Sequence, residues 1–118
     1  MKHVKKSIRY AVRKADVVLD ITVGSGQIGS STVLKDDKEV ASAGSLLSVN
    51  LGPGTELKGM DVVVDSQVQD VLTQTDRVSV QYVLSGGVKK EPFVAKTTVA
   101  KDLDMCRFTT TISFVEAS

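Results

Sequence analysis

Gly24, Gly26 and Gly29, in the stretch VGSGQIGSS behind the apolar run VVLDITV, have the GxGxxG spacing of a dinucleotide loop. In such a loop the glycines let the backbone approach a pyrophosphate, which then sits on the N-terminus of the helix that opens after them. Here the residues after Gly29 read SSTVLKDDKEV, a short β-prone run and a polar turn, with no amphipathic helix. The acidic residue that would hold a ribose about twenty positions further on is missing; SLLSVNLG lies there instead. Gly24 to Gly29 also has the GxxxxG spacing of a P-loop, but Ser30 and Ser31 stand where a phosphate-binding Lys and a Ser/Thr are needed. The glycines therefore predict a corner at a strand end, joining two antiparallel strands. Any anion held there would be held by exposed backbone N–H groups.

Carboxylates come next. Asp36 with Asp37, and Asp102 with Asp104, fall in polar turns, and paired carboxylates on β-loops are the hard oxygen donors that calcium takes. These four are the candidate calcium ligands. No segment has the spacing of an EF-hand, and Asp is a turn former in its own right, so solvated turns are the simpler expectation.

The nucleophile and soft-metal chemistries lack parts. The single histidine, His3, lies among the first residues, and the single cysteine, Cys106, opens the run CRFTTTISF. A triad needs a histidine packed against its nucleophile, and a zinc site needs several Cys or His ligands. Cys106 reads as a small hydrophobe at the edge of a core rather than a reactive thiolate. No cofactor, no resident metal and no catalytic residue is expected, and the chain is not expected to be an enzyme. Only five aromatic side chains are present, Tyr10, Tyr82, Phe93, Phe108 and Phe114. The last four fall at inward strand positions, which leaves few rings to stack on a sugar or an unpaired base.

The cations carry the clearest signal. Lys2, Lys5, Lys6, Arg9, Arg13 and Lys14 lie in the first fourteen residues, which contain no acid. Of fifteen Lys and Arg in all, nine remain for the rest of the chain, against fourteen acids, so a basic arm with six positive charges precedes a body of net −5. As a helix, the arm would line up Val4, Ile8, Ala11 and Ala15 and could lie on a membrane surface or on nucleic acid. As a strand, Ile8, Tyr10 and Val12 alternate with Arg9, Ala11 and Arg13, and the cations discourage edge-to-edge aggregation. An edge strand over residues 7–14 behind a disordered tip is the preferred reading. The six cations are at the same time the candidate polyanion contacts, since Lys and Arg that neutralise phosphates release counterions.

The elements that must position these groups are strands. In ADVVLDITV, DRVSVQYVL and RFTTTISFVE the apolar side chains recur at every second position, which buries one face of a strand and wets the other. Val and Thr dominate these runs, as suits a pleated surface. Further strands are expected near 32–34, 45–51, 60–71 and 93–100, with a helical turn allowed within 67–72. Turns are expected at 35–37, 73–76, 85–87 and 101–104, and at Gly52–Pro53–Gly54 a type II turn with positive φ on Gly54. With 118 residues, 42% hydrophobic and 25% charged, the chain is one domain's worth. The fold class is all-β: an antiparallel sandwich, immunoglobulin-like or similar, of about seven or eight strands, with a closed barrel as the alternative. The likeness to immunoglobulins is one of architecture, because one cysteine and no tryptophan cannot make their Cys…Trp…Cys pattern.

The expected organisation is thus a basic arm over 1–14 and one sandwich domain over 15–118. No apolar stretch approaches the ~18 residues of a membrane helix, and no leader-like apolar run follows the first cations. One cysteine requires no oxidising compartment, which favours the cytoplasm. The expected function is non-catalytic, by protein–protein contact, as a homo-oligomer or by edge-strand addition. The alternatives are a ligand- or calcium-binding module using the acidic turns, and polyanion attachment through the arm.

Overall fold

In the structure, a computed structural model, residues 2–24, 28–69, 77–99 and 105–117 are described. They form nine strands, β1 (Lys2–Val12), β2 (Asp16–Val23), β3 (Ile28–Lys35), β4 (Lys38–Ala43), β5 (Leu46–Pro53), β6 (Asp61–Gln69), β7 (Arg77–Ser85), β8 (Glu91–Thr98) and β9 (Met105–Glu116), with one helical turn, α1 (Gly54–Leu57). Five strands make one sheet in the order β1-β9-β6-β3-β4, and four make the other in the order β5-β2-β7-β8. The two sheets do not close on each other, so the molecule is a sandwich and the barrel alternative is wrong.

The core follows from the period-two pattern. Val17, Leu19, Ile21 and Val23 of β2 and Val78, Val80, Tyr82 and Leu84 of β7 are buried, and so are Phe108, Ile112 and Phe114 of β9. In the first sheet, which also holds β9, Ile8, Tyr10 and Val12 of β1, Val33 of β3, and Val62, Val64 and Val68 of β6 join the β9 side chains in facing β2 and β7. Each such side chain taken out of water stabilises the sandwich by roughly 1.5–3 kcal/mol, before ordering entropy opposes it.

The core also holds polar groups. Ser31, Ser66 and Thr110 are buried. The Ser31 and Ser66 hydroxyls are 2.7 Å apart, and the Thr110 hydroxyl donates across the sandwich to the Tyr82 oxygen at 2.8 Å. A buried hydroxyl without a partner is costly, and here each has one: the serine pair lies between neighbouring β3 and β6, and the Thr110–Tyr82 bond ties β9 to β7 across the sandwich.

Three local expectations are corrected. The ninth strand is β4, whose sequence KEVASA buries no side chain and so shows no alternation. The pairing is not antiparallel throughout: β1 runs parallel to β9 from Lys2↔Cys106 to Val12↔Glu116. First and last strands need no short connection, and the whole domain serves as their crossover. At Gly52–Pro53–Gly54 the positive φ belongs to Gly52, at 98°, while Gly54 opens α1. Gly54 is required for a close approach, since a Cβ there would lie 2.1 Å from the Arg13 carbonyl oxygen. β6 remains extended through Gln69, and residues 70–72 of the allowed helical turn lie outside the described residues.

Candidate functional site

The glycine stretch is only partly a corner. Val23 ends β2 in one sheet and β3 begins at Ile28 in the other, so the chain crosses between sheets there. Gly24 donates its N–H to the Ser79 carbonyl at 2.8 Å. Gly26 lies outside the described residues. Gly29 is within β3, opposite Val68, where a Cβ would meet the Gln67 carbonyl oxygen at 2.8 Å and Val23 Cγ2 at 2.9 Å. It is there so that two sheets can approach. A strand follows where a dinucleotide fold opens a helix.

Asp36 and Asp37 are the two central residues of the β3–β4 hairpin, with φ of 51° and 65°, between the paired Lys35 and Lys38. Two positive φ values in a two-residue loop match the right-handed twist of the strands it joins. Asp102 and Asp104 lie outside the described residues. Among the described residues, no three His, Cys, Asp or Glu side chains come together as a metal site. Cys106 is fully buried, and burial pushes its thiol up, partly opposed by the positive charge of Lys2.

The basic segment is the most informative. It is strand from Lys2 to Val12, so residues 2–6 of the expected disordered tip are part of β1, and Arg13 and Lys14 come after the strand. Alternation divides the cations. Lys5 and Arg9 are exposed on the outer face, about 13 Å apart along the strand. Lys2 and Lys6 share the inward parity of Val4 and Ile8, at the rim of the sandwich, and Lys2 Nζ donates to the Thr98 carbonyl at 3.0 Å. Arg13 and Lys14 line an open cleft at the far end with Thr55, Lys58 and Glu116, where Lys58 is 3.3 Å from the Glu116 carboxylate. The six cations thus form three groups, two on β1 and one just beyond its end, rather than one patch.

The main chain of β1 has its own polarity. The Val12 carbonyl accepts from Ala117 N–H at 3.1 Å, on the β9 side, whereas the Ala11 carbonyl accepts from Val88 N–H at 3.2 Å, on the opposite side. Successive residues of a strand point their N–H and C=O groups to opposite edges. Even-numbered residues of β1 therefore bond to β9, and odd-numbered ones face out of the sheet. Among the described residues, no main-chain partner meets the outward groups of His3, Lys5, Ser7 and Arg9. The His3 ring is 2.8 Å from the Thr109 hydroxyl, which lays it on the outer face and off the edge.

The outward row ends at a strap. Residues 86–89 cross the edge at Ala11, and the Tyr10 phenol holds them, donating to the Lys89 carbonyl at 2.6 Å and accepting from Gly87 N–H at 3.0 Å. SGG reads as a turn, and nothing in its residue types shows that it folds over β1.

β1 differs from the other three edges. β4 has six residues and a register shift against β3. β5 has a shift against β2 and ends at Pro53, and β8 carries Pro92. β1 pairs with β9 in eleven unbroken positions and holds no proline. No known protein family, curated relative or solved structure matches the chain. The site is accordingly read from its own geometry.

The outer face of the second sheet is a weaker surface. Leu46, exposed at 71%, and Val94, at 46%, belong to one cross-strand row, but Thr22 and Gln81 stand between them. No described helix is long and apolar enough to cross a membrane.

Proposed function

We propose that this domain is a non-catalytic binding module acting through protein–protein contact, and that the contact is strand addition at the free edge of β1. The supporting observation is the row of outward main-chain groups at His3, Lys5, Ser7 and Arg9, which meet no main-chain partner among the described residues, on the one edge among the described strands that is long, regular and free of proline. Such an edge is a template for another strand: main-chain bonds supply affinity and alternate side chains supply selectivity. Hydrogen exchange tests the starting state. In the isolated protein the amides of Lys5, Ser7 and Arg9 exchange fast while those of Val4, Lys6 and Ile8 are protected. Equal protection of both sets would mean that the edge is already covered, and the proposal would fail.

Attachment to a polyanion is the second reading, favoured by the cleft that Arg13 and Lys14 share with Lys58. It requires heparin retention that falls steeply with salt. Substituting all three residues by Ala would abolish that retention, and unchanged elution would reject it.

A further inference from the structure

We infer that the β1 edge selects an acidic extended segment of another protein and rejects a second copy of its own chain. The inference rests on the strand-addition reading above and adds the chemistry of the partner.

The rejection follows from register. An antiparallel β1–β1 pair about a two-fold axis must place outward residues opposite outward residues, so its centre is one of a few positions. Centred on Ser7, it sets Lys5 against Arg9 twice. Centred on Lys5 or Lys6, it sets that lysine against itself, and centred on Arg9 it sets two guanidinium groups together. Centring on Ile8 calls on Ala11, whose carbonyl is already bonded to Val88. Like charges directly opposite destabilise a cross-strand pair, and opposite charges stabilise it by a similar amount. Centred on Val4, it sets Lys2 against Lys6 twice, so every register open to a second copy is penalised.

The same cations define what fits. In an antiparallel partner, the residue opposite Arg9 is followed by those opposite Ile8, Ser7, Lys6 and Lys5. The complementary segment is acidic at its first, fourth and fifth positions and apolar at its second, where it continues the buried row of Ile8. The first and fifth acids lie over the outer face, and the fourth faces Lys6 at the rim. The strap at Ala11 limits how far the segment extends.

The experiment uses the full chain and three labelled peptides of about ten residues: one acidic with this spacing, one with Lys replacing each acid, and the acidic one N-methylated on the amides that would face β1. Fluorescence anisotropy reads affinity and amide shifts locate the peptide. The acidic peptide binds and moves the amides of Lys5, Ser7 and Arg9, while the N-methylated and basic peptides bind at least about tenfold more weakly. Ser7→Pro, which removes an outward N–H and leaves the β9 ladder intact, weakens the acidic peptide as well.

If acidic and basic peptides bind equally and N-methylation abolishes both, strand addition stands and selection for acid is overturned. If the acidic peptide binds regardless of N-methylation, charge alone holds it and the strand-addition reading falls. Light scattering on Arg9→Glu decides the case in which no peptide binds. This variant turns the Ser7-centred clash into two Lys–Glu pairs and dimerises while the wild type is monomeric. A monomeric variant together with silent peptides overturns both readings, and a wild-type dimer built on β1 overturns the inference by itself.

Discussion

The hydroxyl of Tyr10, in the first strand, lies 2.6 Å from the carbonyl of Lys89, seventy-nine residues further along. The same oxygen receives the N–H of Gly87 at 3.0 Å, so one side chain fastens both ends of a short strap across the β1 edge. The ring itself is buried in the core. Tyr10→Phe keeps the packing and removes both bonds, leaving the Gly87 N–H and the Lys89 carbonyl to water. The expected loss is about 1–2 kcal/mol in urea unfolding. Hydrogen exchange at Val88, whose N–H bonds to Ala11, speeds up more than exchange in β6. Unchanged exchange at Val88 would show that the strap holds without its phenol.

Tyr82 makes the folded state sensitive to alkali. Burial raises its pKa, opposed in part by hydrogen bonds from Thr110 and Ser66, with a small further upward push from Asp65. The folded value stands above the ordinary value of 10.0, so the unfolded chain gives up this proton first as pH rises. The stabilising contribution is complete below that ordinary value and is lost as pH climbs through the folded one. Urea unfolding at about pH 8 and about pH 11 is expected to show a larger fall for the wild type than for Tyr82→Phe. Equal falls would place the alkaline sensitivity elsewhere.

The β3–β4 turn offers a stabilising change. Asp36 and Asp37 both adopt positive φ, and a left-handed conformation costs most side chains about 1–2 kcal/mol. Asn-Gly is the preferred pair for such a loop. Asp36→Asn with Asp37→Gly removes two adjacent negative charges and part of the strain, for an expected gain of about 0.5–1 kcal/mol after the entropy of glycine is set against it. Thermal unfolding with and without millimolar calcium checks this and the calcium expectation together. The double substitution raises Tm, and calcium shifts neither protein. A calcium-dependent rise in the wild type that the variant lacks would assign the metal to this turn.

The sandwich was legible because β2, β7 and β9 each bury one face, and alternation is the physical record of that. β4 buries neither face, so KEVASA carried no such record. The start of β1 was hidden for a related reason: its inward positions are Lys2, Val4 and Lys6 at the rim, and only from Ile8 do they become core. Lys5 lies in the expected disordered tip, but Arg9 could be placed on the outer side from its alternation with Ile8, Tyr10 and Val12. Which of their neighbours carry free main-chain groups could not, because that parity depends on β9 lying alongside, about a hundred residues later. Nothing in the run of threonines marks Thr110 as an inward polar residue, since its partner Tyr82 belongs to the opposite sheet.

Cys106 gives a direct measure of how often β9 opens. Its side chain is fully buried beside the first residues of β1, and burial holds its thiol above the ordinary value of 9.0. Alkylation requires a thiolate that the reagent can reach, so the native protein is expected to react slowly with iodoacetamide at about pH 8. In urea, Cys106 reacts at the rate of a free thiol. Between these limits the rate follows the population of the opened state, provided closing is faster than alkylation. Because Cys106 is paired with Lys2 in the β1–β9 ladder, a strand bound along β1 should slow its alkylation by holding β1 against β9. Measured with and without the acidic peptide, the rate separates docking that stabilises β1 from docking elsewhere. A bound peptide that leaves the rate unchanged would mean that β1 and β9 open independently of the occupied edge.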